Sequence, residues 1–247
     1  MRCEILLTTT GHSGRVAEVR IMKSLTLVAF ATLVLLLFQA GPARSQTPRL
    51  EERPPVKCLV DSPERRGEEG CAILASRPLV GSVTKPVYWH IDRFDSLDAA
   101  KKAAGPDGVA AEAHGSVWLM TVEGKAKDHH GGRHVAWIGP LSLPAADSYT
   151  MRVQSSLLNP GTMTPIHKHS GPEVWYIVSG EQCLQTQATS HRLTAGRSFI
   201  LPTDTIHRGK ITASVPRRTL SLVLHDAARP GSQDLDKDDP PPLVPCK

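Results

Sequence analysis

Aromatic residues make up only 4% of this 247-residue chain, and nowhere do they interleave with a basic stripe. Nucleic-acid binding therefore has no electrostatic footprint here. No unit of 20–50 residues recurs, so the chain does not read as a solenoid or other repeat array. The uncharged apolar run at residues 25–38 has 14 residues. A membrane helix needs about 20, so this run is short for a span. What remains is ordinary for a globular protein: 40% hydrophobic and 21% charged residues, enough chain for one large domain or two small ones.

That apolar run has a different meaning at its position. Met22, Lys23 and Ser24 precede it, and Ala43 and Ser45 supply small residues before Gln46. A basic start, an apolar middle and a small-residue end read as a secretory signal peptide. Residues 1–45 are accordingly expected to be a leader, with translation starting at Met22 and cleavage near Ser45. The expected location is periplasmic or secreted, with membrane contact only through this segment if it is not cleaved. Five of the 29 basic and two of the 24 acidic residues lie in the leader, leaving 24 and 22, a net charge of +2. Cys58, Cys71, Cys183 and Cys246 also remain, an even number suited to an oxidising compartment. Four cysteines allow three pairings, of which Cys58 with Cys71 is the local one. Cys183, on an expected strand, also reads as a buried free thiol.

Residues 46–80 open as a Pro/Arg/Glu-rich stretch with few apolar positions and are expected to form an extended arm. Within residues 81–147, "PVYWHIDRF", "GSVWLMTVEG" and "RHVAWIGPL" read as strands. "DSLDAAKKAAG" reads as a short helix capped by Asp95 or Ser96 and stopped at Gly105. Residues 106–114 read as a Gly/Ala-rich loop. Residues 148–226 are a series of short runs, among them "SYTMRVQSSL", "VWYIVSG", "SFILP" and "RRTLSLVLHD", bounded by turn residues. Short strands at regular spacing indicate a sandwich or small barrel. The Pro/Asp-rich tail, residues 227–247, is expected to lack regular structure.

One stretch of this β region carries chemistry: "GTMTPIHKHSGPEVWYIVSG", residues 161–180. Alternate residues of a strand face one side, so His167 and His169 point together while Lys168 points away. The turn Ser170-Gly171-Pro172 returns the chain so that Glu173 can reach the same point. A second stretch, "GRSFILPTDTIHRG", delivers His207 at the start of a following strand. Three imidazoles and a carboxylate suit one divalent transition metal: Fe, Mn, Ni, Zn or Cu.

The two stretches read G-x5-H-x-H-x3-E-x6-G and G-x5-P-x-D-x2-H. They resemble, in order, the two signature motifs of the cupin superfamily. The resemblance covers about residues 148–226. It implies an all-β fold, a double-stranded β-helix or jelly-roll barrel, with an N-terminal extension containing a short helix. It also implies that His167, His169, Glu173 and His207 are the metal ligands. Asp204 stands where the family usually has Gly, a mild departure because Asp tolerates a left-handed turn. The Asn that often follows the last histidine falls at Ile211.

Trp175 and Ile177 share the face of Glu173 and are expected to line the pocket. Arg208 follows a ligand, which places it outward as a surface arginine. His129, His130 and His134 in "HHGGRH" could form a second metal cluster, although the glycines favour a loop. The resemblance implies a metal-dependent small-molecule enzyme, with dioxygenase chemistry ahead of decarboxylase or isomerase. The alternative is a non-catalytic protein that holds a small ligand on its metal. Fold alone does not decide between them, and a homodimer is left open.

Overall fold

The computed structural model describes residues 55–79, 86–124, 131–235 and 240–247. The leader, His129 and His130 lie outside the described residues. In chain order the elements are β1 (Cys58–Leu59), a 3-10 turn (Pro63–Arg66), β2 (Gly70–Pro78), β3 (Val87–Phe94) and the helix α1 (Leu97–Ala103). Then come β4 (Gly108–Ala113), β5 (Ser116–Gly124), β6 (Arg133–Leu141), β7 (Tyr149–Leu158) and β8 (His167–Lys168). They are followed by β9 (Glu173–Ser179), β10 (Glu181–Thr186), β11 (Ser190–Thr194), β12 (Ser198–Leu201), β13 (His207–Lys210), β14 (Arg217–Asp226) and β15 (Gln233–Asp234).

These strands form three sheets. The first runs β1-β2-β7-β14-β9-β12, the second β11-β10-β13-β8-β15, and the third β4-β5-β3-β6. The first two face each other as the jelly-roll barrel. One end of its interior is closed by Ile177 from β9, Leu184 from β10, Leu193 from β11 and Leu201 from β12. The chain crosses from β9 in the first sheet to β10 in the second at Gly180, whose φ of +73° an L side chain rarely adopts.

The third sheet covers the outside of the first. Trp89 and Ile91 of β3 and Trp118, Met120 and Val122 of β5 pack in one cluster with Met151 and Val153 of β7 and Leu220, Leu222 and Leu224 of β14. Strand alternation explains the selection: even-numbered residues of β14 meet the third sheet, and odd-numbered ones face the barrel interior. Helix α1 starts where Ser96 caps it, its hydroxyl accepting from Ala99 N at 3.2 Å.

Local pattern misread three segments. The expected arm at residues 46–80 contains β2, which pairs with β7 from Gly70↔Leu157 to Pro78↔Thr150. Its charged composition ends at Glu69, and the small apolar run after it joins the barrel sheet. The expected loop at 106–114 contains β4, which pairs along β5 from Gly108↔Thr121 to Ala113↔Ser116. Alanine and glycine carry little strand propensity, so this edge strand is imposed by its partner. The tail is tied at two places: β15 pairs with β8, and Cys246 is disulfide-bonded to Cys183. Cys183 is thus not a free thiol. Cys58 and Cys71 form the other disulfide, joining β1 to β2.

Candidate metal centre

His167 ends up beside His207 because β8 and β13 are antiparallel neighbours with these two residues in register. Glu173 comes from the opposite sheet, at the start of β9. Between them the chain reverses at Gly171, where a Cβ would lie 2.0 Å from the Leu224 carbonyl oxygen, so only glycine permits the approach. His169 lies just beyond β8, and its carbonyl accepts from the amide of Asp204 at 2.8 Å. That amide is presented by a left-handed turn, with Asp204 at φ +59°, and its carboxylate is held by Arg229 at 3.0 Å.

One ligand atom from each of His167, His169, Glu173 and His207 lies within 4.8 Å of all the others. The ring hydrogens are accounted for outside the cluster. Nδ1 of His167 donates to Pro165 O at 2.8 Å, Nδ1 of His169 to Gly231 O at 2.7 Å, and Nδ1 of His207 to Thr205 O at 2.9 Å. A neutral imidazole carries one N–H, so all three Nε2 atoms present lone pairs. Nε2 of His169 and His207 and Oε2 of Glu173 are buried without a hydrogen-bond partner. Yet Glu173 Oε2 is 3.0 Å from Nε2 of His207 and 3.5 Å from that of His169. Four acceptors converging with no donor among them are mutually repulsive unless a cation sits between them, so the residues fit a divalent metal.

Protonation agrees with that reading. Burial, then the neighbouring His207 and His169, lowers the His167 imidazole to about 3. Burial also lowers His169. Burial would raise Glu173, but the surrounding imidazoles, His169 first, outweigh it and hold the carboxylate at about 2. At neutral pH His167 and His169 are therefore neutral imidazoles and Glu173 a carboxylate, the forms that ligate metals.

The cluster opens on a cavity of about 240 Å³. Trp175 lines it, with its ring 5.8 Å from that of His207. Ile177 does not line it; that side chain is fully buried in the apolar plug, because two residues further along β9 the barrel has closed. Arg208 faces away, donating to Gln185 Oε1 at 3.3 Å. His134 forms no second metal cluster among the described residues; its Nδ1 lies 3.2 Å from Asp92 Oδ1. The strand pattern did not single out the rest of the wall, Arg152, Gln154 and Ser156 of β7 and Arg217, Thr219 and Ser221 of β14. Their alternation was visible, but alternation does not say which face is inside. At the mouth, Lys57 and Asp234 form an ion pair that links the N-terminal segment to β15.

A jelly-roll barrel with three histidines and a glutamate converging inside defines a barrel whose interior residues fit a single metal ion. Residues 155–223 match the family model described as the cupin domain, so this part of the chain is a cupin domain. No curated protein matches it. Among solved structures it is similar to the DMSP lyase DddQ from Ruegeria pomeroyi, at 19% identity over 36% of this chain and 45% of that one, with a TM-score of 0.32. It is also similar to a cupin-like protein from Thermotoga maritima, at 15% identity over 38% of this chain and 84% of that one, TM-score 0.32. A third is a Cupin 2 conserved barrel domain protein from Salinispora arenicola, at 20% identity over 32% and 65%, TM-score 0.29. The chain thus spans less than half the length of the lyase.

Proposed function

We propose that the protein is an exported, metal-dependent small-molecule enzyme, with dioxygenase-type oxidation favoured over decarboxylation or isomerisation. The observation that carries the metal is the inward set of lone pairs, each histidine fixed by an Nδ1–H to a backbone carbonyl. A bound divalent ion would supply Lewis acidity or redox chemistry beside the cavity. The chain's own contribution is enclosure and orientation. Trp175 gives the cavity an apolar wall, and Gln154, Ser156, Thr219 and Ser221 give it hydrogen-bonding groups. Export is supported by the leader pattern and by the pairing of all four remaining cysteines.

A second reading, a non-catalytic protein that holds a ligand on its metal, rests on one observation. Among the described residues lining the cavity, Asp234 is the one carboxylate besides Glu173, and it is engaged with Lys57 at the mouth. No side chain is therefore placed as a dedicated general base.

Elemental analysis of protein purified from its native compartment tests the metal. One equivalent is expected, with His167→Ala and His207→Ala each losing it while still being secreted. Full occupancy in either variant would remove that histidine from the site. Turnover of a small carboxylate, phenol or sugar by the loaded protein decides between enzyme and binder. N-terminal sequencing of the mature chain, with a start near Gln46 expected, tests export.

A further inference from the structure

Two arginines face the barrel interior, and neither has a carboxylate partner there. Arg217, at the start of β14, is 3% exposed; its NH1 donates to Ser156 Oγ at 2.5 Å, while its Nε has no hydrogen-bond partner. Arg152 of β7 is half-buried, and its Nε is likewise unpartnered. Both line the cavity that opens on the histidines. Among the described residues neither forms an ion pair; the acid they both sense is Glu173, which belongs to the histidine cluster. A structural buried arginine is normally paired, because an uncompensated buried charge is expensive.

The charge on the wall does not balance. Arg152 and Arg217 contribute two positive charges and Glu173 one negative, while Lys57 and Asp234 offset each other at the mouth. A divalent ion would make the excess larger. The missing element is an anion inside the cavity. Guanidinium groups present forked donors that suit the two oxygens of a carboxylate. The cavity volume, about 240 Å³, corresponds to about eight water molecules at their liquid volume, room for a small organic acid.

We propose that the barrel takes a small carboxylate, held by Arg217 and Arg152 with its remaining atoms directed toward the histidine cluster. This rests on the reading of the barrel as a ligand-binding metal site and narrows it to a substrate class. Phenols and neutral sugars are then disfavoured, because they would leave both guanidiniums buried without a counter-charge.

The test is calorimetric titration of the full oxidised protein, metal-loaded and metal-stripped, with benzoate and malonate and with their neutral counterparts benzamide and malonamide. One acid is expected to bind per chain, with the amides weaker by at least about tenfold, as for a lost charge-assisted hydrogen bond. Arg217→Gln, and separately Arg152→Gln, should weaken the acid by at least about tenfold at unchanged metal content. Equal binding of acid and amide would overturn the proposal, as would loaded protein that binds neither acid. So would acid affinity unchanged in both arginine variants, which would mean that the metal alone holds the acid. The comparison of acid with amide uses the unmodified chain, so it stands even where Arg217→Gln fails to fold. Acid binding that depends on the arginines in a protein without metal would sink the metal reading and leave this one standing.

Discussion

Replacing Cys183 and Cys246 by serine is expected to be the more damaging of the two disulfide removals. The bond closes a sequence separation of 63 residues, whereas Cys58–Cys71 closes 13. Cross-linking removes chain entropy from the unfolded state in proportion to the logarithm of loop length, which gives about 4 kcal/mol for the long loop and about 3 for the short one. The loops occupy separate parts of the chain, so the two losses should add to about 7 kcal/mol. Few contacts can compensate in the folded state. Beside Cys246 the tail is held by Val244 N to Thr186 O at 2.9 Å, Gln185 Nε2 to Val244 O at 3.1 Å and Ser190 Oγ to Pro245 O at 3.1 Å. Each is worth about 1 kcal/mol, less than the entropy of ordering the residues around it.

The measurement is urea unfolding, with thermal melts beside it, without reductant, of the wild type, the two double-serine variants and the quadruple variant. A loss of about 4 kcal/mol should appear as a fall of roughly 8–16 °C in Tm for a domain of this size. The reasoning fails if the Cys183/Cys246 variant loses less than about 1 kcal/mol, or if the short loop proves the more stabilising of the two. Either result would mean that the unfolded chain is already confined, or that the folded tail is strained by its bond.

Two further outcomes separate the faces of the first sheet and the electrostatics behind it. Leu222→Ala, fully buried against the third sheet, should cost about 2–5 kcal/mol while leaving metal content and acid binding intact, read by urea melts and elemental analysis. His114 is lowered to about 4, by burial first and by Arg218 and Arg217 beside it, against a hydrogen bond to Thr219 O. Its folded value lies below its unfolded one, so its contribution is complete above pH 6.5 and is lost as the pH falls toward 4, by up to about 3 kcal/mol. His114→Asn, which tolerates the local φ of +54°, should flatten that part of the stability–pH curve relative to wild type. Glu64, 3.4 Å from His114 and raised by burial, works in the opposite sense, and His114→Asn combined with Glu64→Gln separates the two contributions.

The positions of the four metal-site residues were legible because the information is local. His167, His169 and Glu173 share one turn, and His207 opens a strand after a proline and a left-handed Asp204. The mechanism was only partly right: β8 ends at Lys168, so His169 is aimed by its hydrogen bond to Gly231 O and by its carbonyl's bond to the Asp204 amide, not by strand alternation. What local pattern missed is long-range. β2 and β15 are strands because of partners far along the chain: Gly70 pairs with Leu157 and Asp234 with His167, differing in position by 87 and 67. Arg152 and Arg217 carry no local signal for an inward position, since a charged residue alternating with leucine or valine is usually outside.

That inversion explains why the third sheet exists as part of the domain. A small barrel ordinarily gains its stability by filling its interior with apolar side chains. Here the interior of β7 and β14 carries Arg152, Gln154, Ser156, Arg217, Thr219 and Ser221, and apolar packing is confined to the plug around Ile177. The hydrophobic contribution must come from the other face, where Met151, Val153, Leu220, Leu222 and Leu224 are shielded by β3 and β5. At about 25 cal/mol per Å² of apolar surface, each such side chain contributes about 1.5–3 kcal/mol only if that face is covered. The covering sheet and the polar cavity are therefore one arrangement: core packing was moved outside the barrel, and the inside was left polar. A chain truncated internally, by deletion of residues 86–147, would lose the third sheet but keep β1, β2, all four clustered residues and both cavity arginines. It should nevertheless fail to fold, exposing five large apolar residues on one sheet face, and soluble, metal-binding protein from that truncation would show the barrel to be self-sufficient.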